Sequence, residues 1–213
     1  MTEKYLLILF YSASGAVKNL AHALADGAEE FGLEVKIRTV PKVSPTSKLT
    51  EPAVPKEGEV YCSKEDLLNC SGLALGSPTR FGSMASPMKH FLDSTGDLWA
   101  THALEGIPGC AFTSTGSMHG GQEITLMNLL TYQLHQGMII VGSPYSIEEL
   151  NKTQAGGTPY GPSHVESFNS SPTLTPDEYK VAFKTGIRMA EIIKKLNDEI
   201  FFNYYYGVLF FFC

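Results

Sequence analysis

The chain predicts an α/β fold: a doubly wound, five-stranded parallel sheet in the order 2-1-3-4-5, with helices on both faces. Three observations lead there. Apolar runs of strand length recur at 5–11, 34–39, 72–76, 108–114 and 138–141. Segments with helical spacing of apolar residues lie between them. The turns that close the first, third and fourth runs are rich in Gly, Ser, Thr and Pro. Strand and helix alternating in this way give a parallel sheet covered on both sides. Right-handed crossovers reduce the topologies to a few, of which 2-1-3-4-5 is the common five-stranded solution. Its switch point lies between the first and third strands, and ligands bind there, outside the carboxyl ends of the strands.

Each element has its own signal. The run 5–11 is too short for a signal core and leads into Ser and Gly rather than a cleavage site. Val17, Leu20, Ala21, Leu24, Ala28 and Phe31 follow the i, i+3, i+4, i+7 spacing of one buried helical stripe. A second helix starts at Ser63, where Asp66 completes a capping box. A third begins near Pro87, a residue suited to a first helical turn. The fourth spans 122–136. The last opens at Thr175-Pro176-Asp177-Glu178, with Thr175 as cap and Glu178 closing the box, and runs to about Leu196.

Two segments exceed a minimal domain. The stretch 41–58 carries Pro41, Pro45, Pro52 and Pro55 and reads as an irregular surface loop. The stretch 142–172 is Gly/Pro/Ser-rich and includes Gly156-Gly157-Thr158-Pro159-Tyr160-Gly161. Loops of this length are usually functional or disordered, and their places after strands two and five set them beside the crevice or at a subunit contact. One domain is expected over 1–197. Residues 198–213 form an aromatic-rich tail with three readings: a surface anchor, an oligomer contact, or a non-native end.

Composition narrows the function. The 213 residues carry a net charge of −6 and are 43% hydrophobic, enough for one sizeable core. The longest basic run is Lys194-Lys195, so no nucleic-acid footprint is expected. Cys62, Cys70, Cys110 and Cys213 show no C-x-x-C spacing, which speaks against a zinc site or redox pair and for reduced thiols in a cytoplasmic protein. The apolar run 204–213 falls short of the ~20 residues of a membrane-spanning helix, so no integral span is expected.

Three turns gather at the carboxyl edge. After the first strand, Ser12, Ala13, Ser14, Gly15, Ala16 and Val17 form a small-residue loop opening a helix. Small side chains let backbone N–H groups approach a phosphate, and the helix N-terminus favours its charge. The loop is neither a Walker loop nor G-x-G-x-x-G. After the third strand come Gly76, Ser77, Pro78, Thr79, Arg80, Phe81 and Gly82, offering a flat apolar face and one cation. After the fourth come Ser114, Thr115, Gly116, Ser117, Met118 and His119, rich in donors. Trp99 is the single tryptophan and has two readings, a core residue or a stacking wall for a flat ligand.

With these motifs in place, the chain resembles the WrbA-type NAD(P)H:quinone oxidoreductases, flavodoxin-like FMN proteins. The likeness runs from about Lys4 to Leu196 and rests on GSPTRFG (76–82), FLDSTGDLWA (91–100), STGSMHGGQE (114–123), HQGMIIVG (135–142) and GGTPYG (156–161). It implies FMN held through its phosphate by residues 12–17. The ring-binding segment falls on Thr79, Arg80 and Phe81 between Pro78 and Gly82, and the second flavin loop on 114–119. The family's substrate-contacting tryptophan falls on Trp99. Ser14 stands where family members often carry an aromatic or His that meets the nicotinamide. A flavin-contacting histidine of the family aligns with Gln136, which can donate through its amide but cannot become charged.

The activity implied is two-electron reduction of quinones by NADH or NADPH in a ping-pong cycle. It needs no catalytic side chain beyond the flavin, with Arg80 as electrostatic help. The assembly implied is a homotetramer with sites at subunit contacts. A one-electron carrier and a flavodoxin-fold adaptor are the alternatives.

Overall fold

A computed structural model describes residues 4–43, 55, 57–166 and 172–206, with side chains described to 197. Its central strands are β1 (Tyr5–Phe10), β2 (Glu34–Thr39), β3 (Gly72–Arg80), β5 (Pro108–Thr115) and β6 (Ile139–Ile140). They pair in the order β2-β1-β3-β5-β6, all parallel, so the five expected strands hold the expected order. Every residue of β1 and β5 is buried, as the continuous apolar runs require of strands covered on both faces.

Two strands were not expected. β4 (Ser83–Met84) folds back antiparallel on β3, and β7 (Ser163–Val165) joins β5 in parallel. β6 pairs with the start of β5 and β7 with its end, so two short strands share one edge. The turn expected over 76–82 is also largely strand: β3 continues to Arg80. Gly76 and Pro78 read as breakers, yet each has a local reason to be extended. A Cβ on Gly76 would lie 2.2 Å from the Phe112 ring, so glycine permits that packing. Ser77 Oγ accepts the Ala85 N–H at 2.8 Å and Thr113 Oγ1 donates to Ser77 O at 2.7 Å, bonds that hold the strand past its apolar core.

The helices are α1 (Ala16–Glu30), α2 (Lys64–Leu68), α3 (Ser86–Asp93), α4 (Gly96–Ala100), α5 (Gln122–His135) and α6 (Pro176–Tyr206). The Ser63–Asp66 capping box forms as expected. So does the reciprocal pair at Thr175, whose Oγ1 accepts the Glu178 N–H while its own N–H donates to Glu178. Trp99 lies on the short helix α4. The last helix passes Leu196 and continues to Tyr206; residues 207–213 lie outside the described residues, as does most of the Pro-rich stretch 41–58.

The two faces bury separate cores. On one, Val17, Leu20, Leu24 and Ala28 of α1 meet Ala182, Met189 and Ile193 of α6 over Leu6, Ile8 and Phe112. On the other, Leu67, Met88, Leu126 and Leu129 cover Leu7, Leu9, Leu73 and Leu75. The α1–α6 contact is near backbone contact: a Cβ on Gly27 would sit 1.9 Å from Phe183 O, and one on Gly186 2.0 Å from Leu24 O. Among the described residues no helix is long and apolar enough to cross a membrane.

Candidate active site

The loop after β1 is organised by Ser12. Its Oγ accepts from Gly15 N at 3.1 Å and Lys18 N at 3.3 Å, and so caps the first turn of α1 in place of the residue at the boundary. Gly15 itself lies at φ 104° with no side chain to cap with. Ala16 and Val17 open the helix, and helix geometry gives their N–H groups no intrahelical acceptor. They therefore contribute backbone donors, while the Val17 side chain belongs to the core.

The turn after β3 is a two-residue hairpin, with Arg80 opposite Ser83 and Thr79 opposite Met84. Phe81 at φ 53° and Gly82 at φ 79° give the two left-handed residues of a type I′ turn, which matches the twist of its strands. A bulky residue at positive φ is an outlier. Here it holds an aromatic ring at 107% relative exposure, free of any packing role. Thr79 is fixed by Thr125, whose Oγ1 donates to Thr79 Oγ1 at 2.8 Å. Arg80 makes one local bond, Nη1 to Thr79 O at 2.8 Å, and its head is otherwise open to the crevice.

At the end of β5, Ser114 and Thr115 are buried, while Gly116, Ser117, Met118 and His119 after it are exposed. Thr115 Oγ1 donates to Ser117 O at 3.2 Å, curling the loop over the sheet edge. The three turns meet in a crevice with an enclosed volume of about 120 Å³. Ala13, Ser14, Pro78, Thr79, Arg80, Ser114, Thr115 and Gly116 form its walls, so all three expected turns contribute to one site.

One wall residue was not foreseen. Glu166 follows β7, donates its N–H to Thr115 O at 2.7 Å and accepts the Ser14 hydroxyl on its carboxylate. A carboxylate thus occupies the donor loop. The sequence signal was only an acid at the end of a loop that showed no strand pattern.

The segment carrying Glu166 is anchored by Glu178, which is fully buried at the start of α6. Its Oε1 accepts from Gly156 N at 2.8 Å and Val165 N at 3.0 Å. Its Oε2 accepts from Thr175 N at 2.8 Å and lies 3.0 Å from His164 Nδ1. Burial penalises this charge, but the bonds from His164, Thr175 and Val165 outweigh it and hold the carboxyl below its ordinary value. A second chain, Gly157 N to Ser163 Oγ at 2.7 Å and Ser163 Oγ to Gln122 Oε1 at 2.7 Å, ties the GGTPYG loop to the start of α5.

Two expected residues stand apart within the chain. Gln136 caps the far end of α5, 14 residues from Gln122, or roughly 20 Å at the helical rise. It is 6% exposed with Oε1 unbonded among the described residues, and it does not line the crevice. The resemblance mapped a flavin contact there, but α5 carries the position away from its own sheet edge. Trp99 lies on α4 at 57% exposure, which removes the core reading, and it too lies outside the crevice walls.

The crevice walls offer hydroxyls, backbone N–H groups, one cation and the Glu166 carboxylate, and Ser12 and Gly15, just before α1, line the cavity beside it. That donor set fits a phosphate ester with an attached polar ring. Its enclosed part suits one end of such a ligand, since whole small-molecule sites take about 300–1,000 Å³; the exposed Phe81 ring extends the surface outward.

Residues 7–151 match the NADPH-dependent FMN reductase family. A protein of Acidithiobacillus ferrooxidans named NAD(P)H dehydrogenase (quinone) is 40% identical over 200 residues, covering 90% of this chain and 98% of the relative. One of Paracoccus denitrificans with the same name is 45% identical over 197 residues, covering 90% and 94%. Among solved structures, the flavodoxin, WrbA-like protein from Agrobacterium tumefaciens superposes with a TM-score of 0.64 at 18% identity, covering 91% of this chain and 98% of that one, a likeness of fold. The family match takes in the loop after β1, the hairpin after β3 and the loop after β5, which supply every crevice wall residue but Glu166: the chain belongs to the NADPH-dependent FMN reductase family.

Proposed function

We propose that the protein is an FMN-dependent NAD(P)H:quinone oxidoreductase. The observation that carries this is the meeting of three donor-rich turns at one sheet edge, in a chain 40–45% identical to relatives named for that activity. The net reaction is NAD(P)H + H⁺ + quinone → NAD(P)⁺ + hydroquinone. FMN, when bound, supplies the hydride chemistry; the protein binds, orients and shields.

Ala16 and Val17 N–H groups and the Ser12 and Ser14 hydroxyls hold the phosphate end at the start of α1. The Thr79–Phe81 segment, fixed by Thr125, presents backbone polar groups and one aromatic face to the flat part of the ligand. The loop 114–119 closes the opposite side. Arg80 places positive charge where a reduced quinone oxygen gains negative charge, an electrostatic contribution that needs no proton transfer. No paired carboxylates or nucleophile–base set enter the scheme.

One crevice serves donor and acceptor in turn, which makes the cycle ping-pong. Trp99, exposed and outside its own crevice, is assigned to the quinone site of a neighbouring copy in a homo-oligomer. The test is a visible spectrum of the purified protein, followed by initial rates with NADPH and benzoquinone. Bound flavin and parallel double-reciprocal lines are expected. Intersecting lines would overturn the single-site cycle, and negligible NAD(P)H oxidation would overturn the enzyme.

A further inference from the structure

Beside the crevice lies an open groove that meets the assigned site at Ser12, Gly15 and Arg80 and is otherwise without an assigned role. It consists of two cavities of about 860 and 630 Å³ that share Tyr11 and Lys42. The larger one is bounded by Arg80 and by the start of α3, and Arg80 is also a wall of the crevice. The smaller one reaches Ser12 and Gly15 of the loop after β1 on one side and Tyr61 on the other. The groove therefore begins at the reacting site and runs away from it along the ends of β1 and β2.

The charge of its larger cavity is opposite to that of the chain. Among its described lining residues the larger cavity has Lys42, Arg80 and Lys89 with a single acid, Asp93, and that acid is bonded to Lys89. In the smaller cavity Lys18 is paired with Glu59 at 2.9 Å, leaving Glu57 as its other acid. Among the described residues Lys42 and Arg80 have no ion-pair partner. Lys42 is exposed at the junction of the two cavities. Unpaired cations gathered in one groove of a chain with net charge −6 are an anion-binding feature rather than a solvated face.

We infer that this groove holds the adenosine-phosphate half of the dinucleotide donor, with Lys42 and Arg80 on its phosphates. The inference rests on the reading above, because the donor is what brings a long, polyanionic substrate to Arg80. With the nicotinamide over the hairpin, the diphosphate passes Arg80 and meets Lys42. The adenosine then lies in the smaller cavity, between half-buried Tyr11 and Tyr61. Lys42 becomes a specificity determinant: it reads phosphate charge that a quinone lacks.

The test uses the FMN-loaded protein and the variants Lys42→Glu and Lys42→Arg. Losing one charge-assisted phosphate contact and gaining repulsion raises KM for NADPH about tenfold in K42E, with thermal stability and FMN content as in the parent. K42R retains most of the parent's KM. Reduced nicotinamide mononucleotide, which lacks the adenosine-phosphate half, supplies the second arm. The preference for NADPH over it falls about tenfold in K42E. Calorimetric binding of 2′,5′-ADP, present in the parent and lost in K42E, reads the groove without turnover. A KM for NADPH within twofold of the parent in K42E, or 2′,5′-ADP binding unaltered by the charge reversal, overturns the inference. A flavin-loaded parent that oxidises no NAD(P)H overturns the functional reading instead, and 2′,5′-ADP binding still decides the groove.

Discussion

Glu178→Gln changes one atom of a buried hub and exposes how much the site's third wall depends on it. The carboxylate divides its work evenly. Oε1 serves Gly156 N–H and Val165 N–H, and Oε2 serves Thr175 N–H with His164 beside it. A glutamine keeps one acceptor and converts the other into an NH₂ group. Wherever that group turns, it faces at least one backbone N–H that loses its partner in a buried place. One orphaned donor costs about 1–3 kcal/mol, and the remaining bonds lose their charge assistance. The total is about 3 kcal/mol, or a fall in Tm of about 6–12 °C for a chain of this size. Thermal melts of parent and variant, followed by circular dichroism at pH 7, measure it. The pH dependence fixes the cause. The folded carboxyl lies below its ordinary value of 4.5, so its contribution is fully present above that pH and is lost as pH falls through the folded value. The gap between parent and variant should therefore narrow under acid conditions, as pH falls through the folded value. An unchanged Tm, or a gap that persists undiminished in acid, would refute the hub.

Glu166→Gln should tighten FMN binding. Ser14 must leave the Glu166 carboxylate to serve a phosphate, and the neutral amide releases it at less cost; the exposed setting limits the gain to about 0.5–1 kcal/mol, a two- to fivefold lower Kd by fluorescence titration of deflavinated protein. Weaker binding would make Glu166 a ligand of the nucleotide instead. Trp99→Ala should leave FMN content unaltered and stability within about 0.5 kcal/mol, as for an exposed side chain, while kcat/KM for benzoquinone falls. Loss of flavin in that variant would refute the assignment of Trp99 to quinone binding.

The sequence was most legible where one physical requirement dominates. Continuous apolar runs marked β1 and β5 because strands buried on both faces need nothing else. Capping chemistry located Ser63 and Thr175 because a helix end has few ways to satisfy its N–H groups. The three turns of the crevice were legible for a similar reason, since small and hydroxyl-bearing residues at strand ends have little packing use. Legibility failed where tertiary context overruled local preference. Gly76 and Pro78 look like a turn, yet Phe112 and Ala85 make them strand. β7 has three residues and no apolar alternation, and it exists because Glu178 bonds Val165 at its end. Glu166 was hidden with it. Gln136 took its role from the resemblance alone, and within the chain it sits at the far end of α5 and does not line the crevice.

The glycine contact between α1 and α6 has a mechanical consequence. With Gly27 and Gly186 leaving no room for even a methyl group, the two helices cannot slide past one another without breaking backbone packing. The start of α1 carries the donors of the crevice, and the start of α6 carries the Glu178 hub that sets β7 in place. These two starts are therefore parts of one stiff body. Whatever opens the crevice to admit a nucleotide must come from the exposed side, through the hairpin tip at Phe81 and the loop 116–119. Motion is thereby assigned to segments that can move in nanoseconds to microseconds without touching the core.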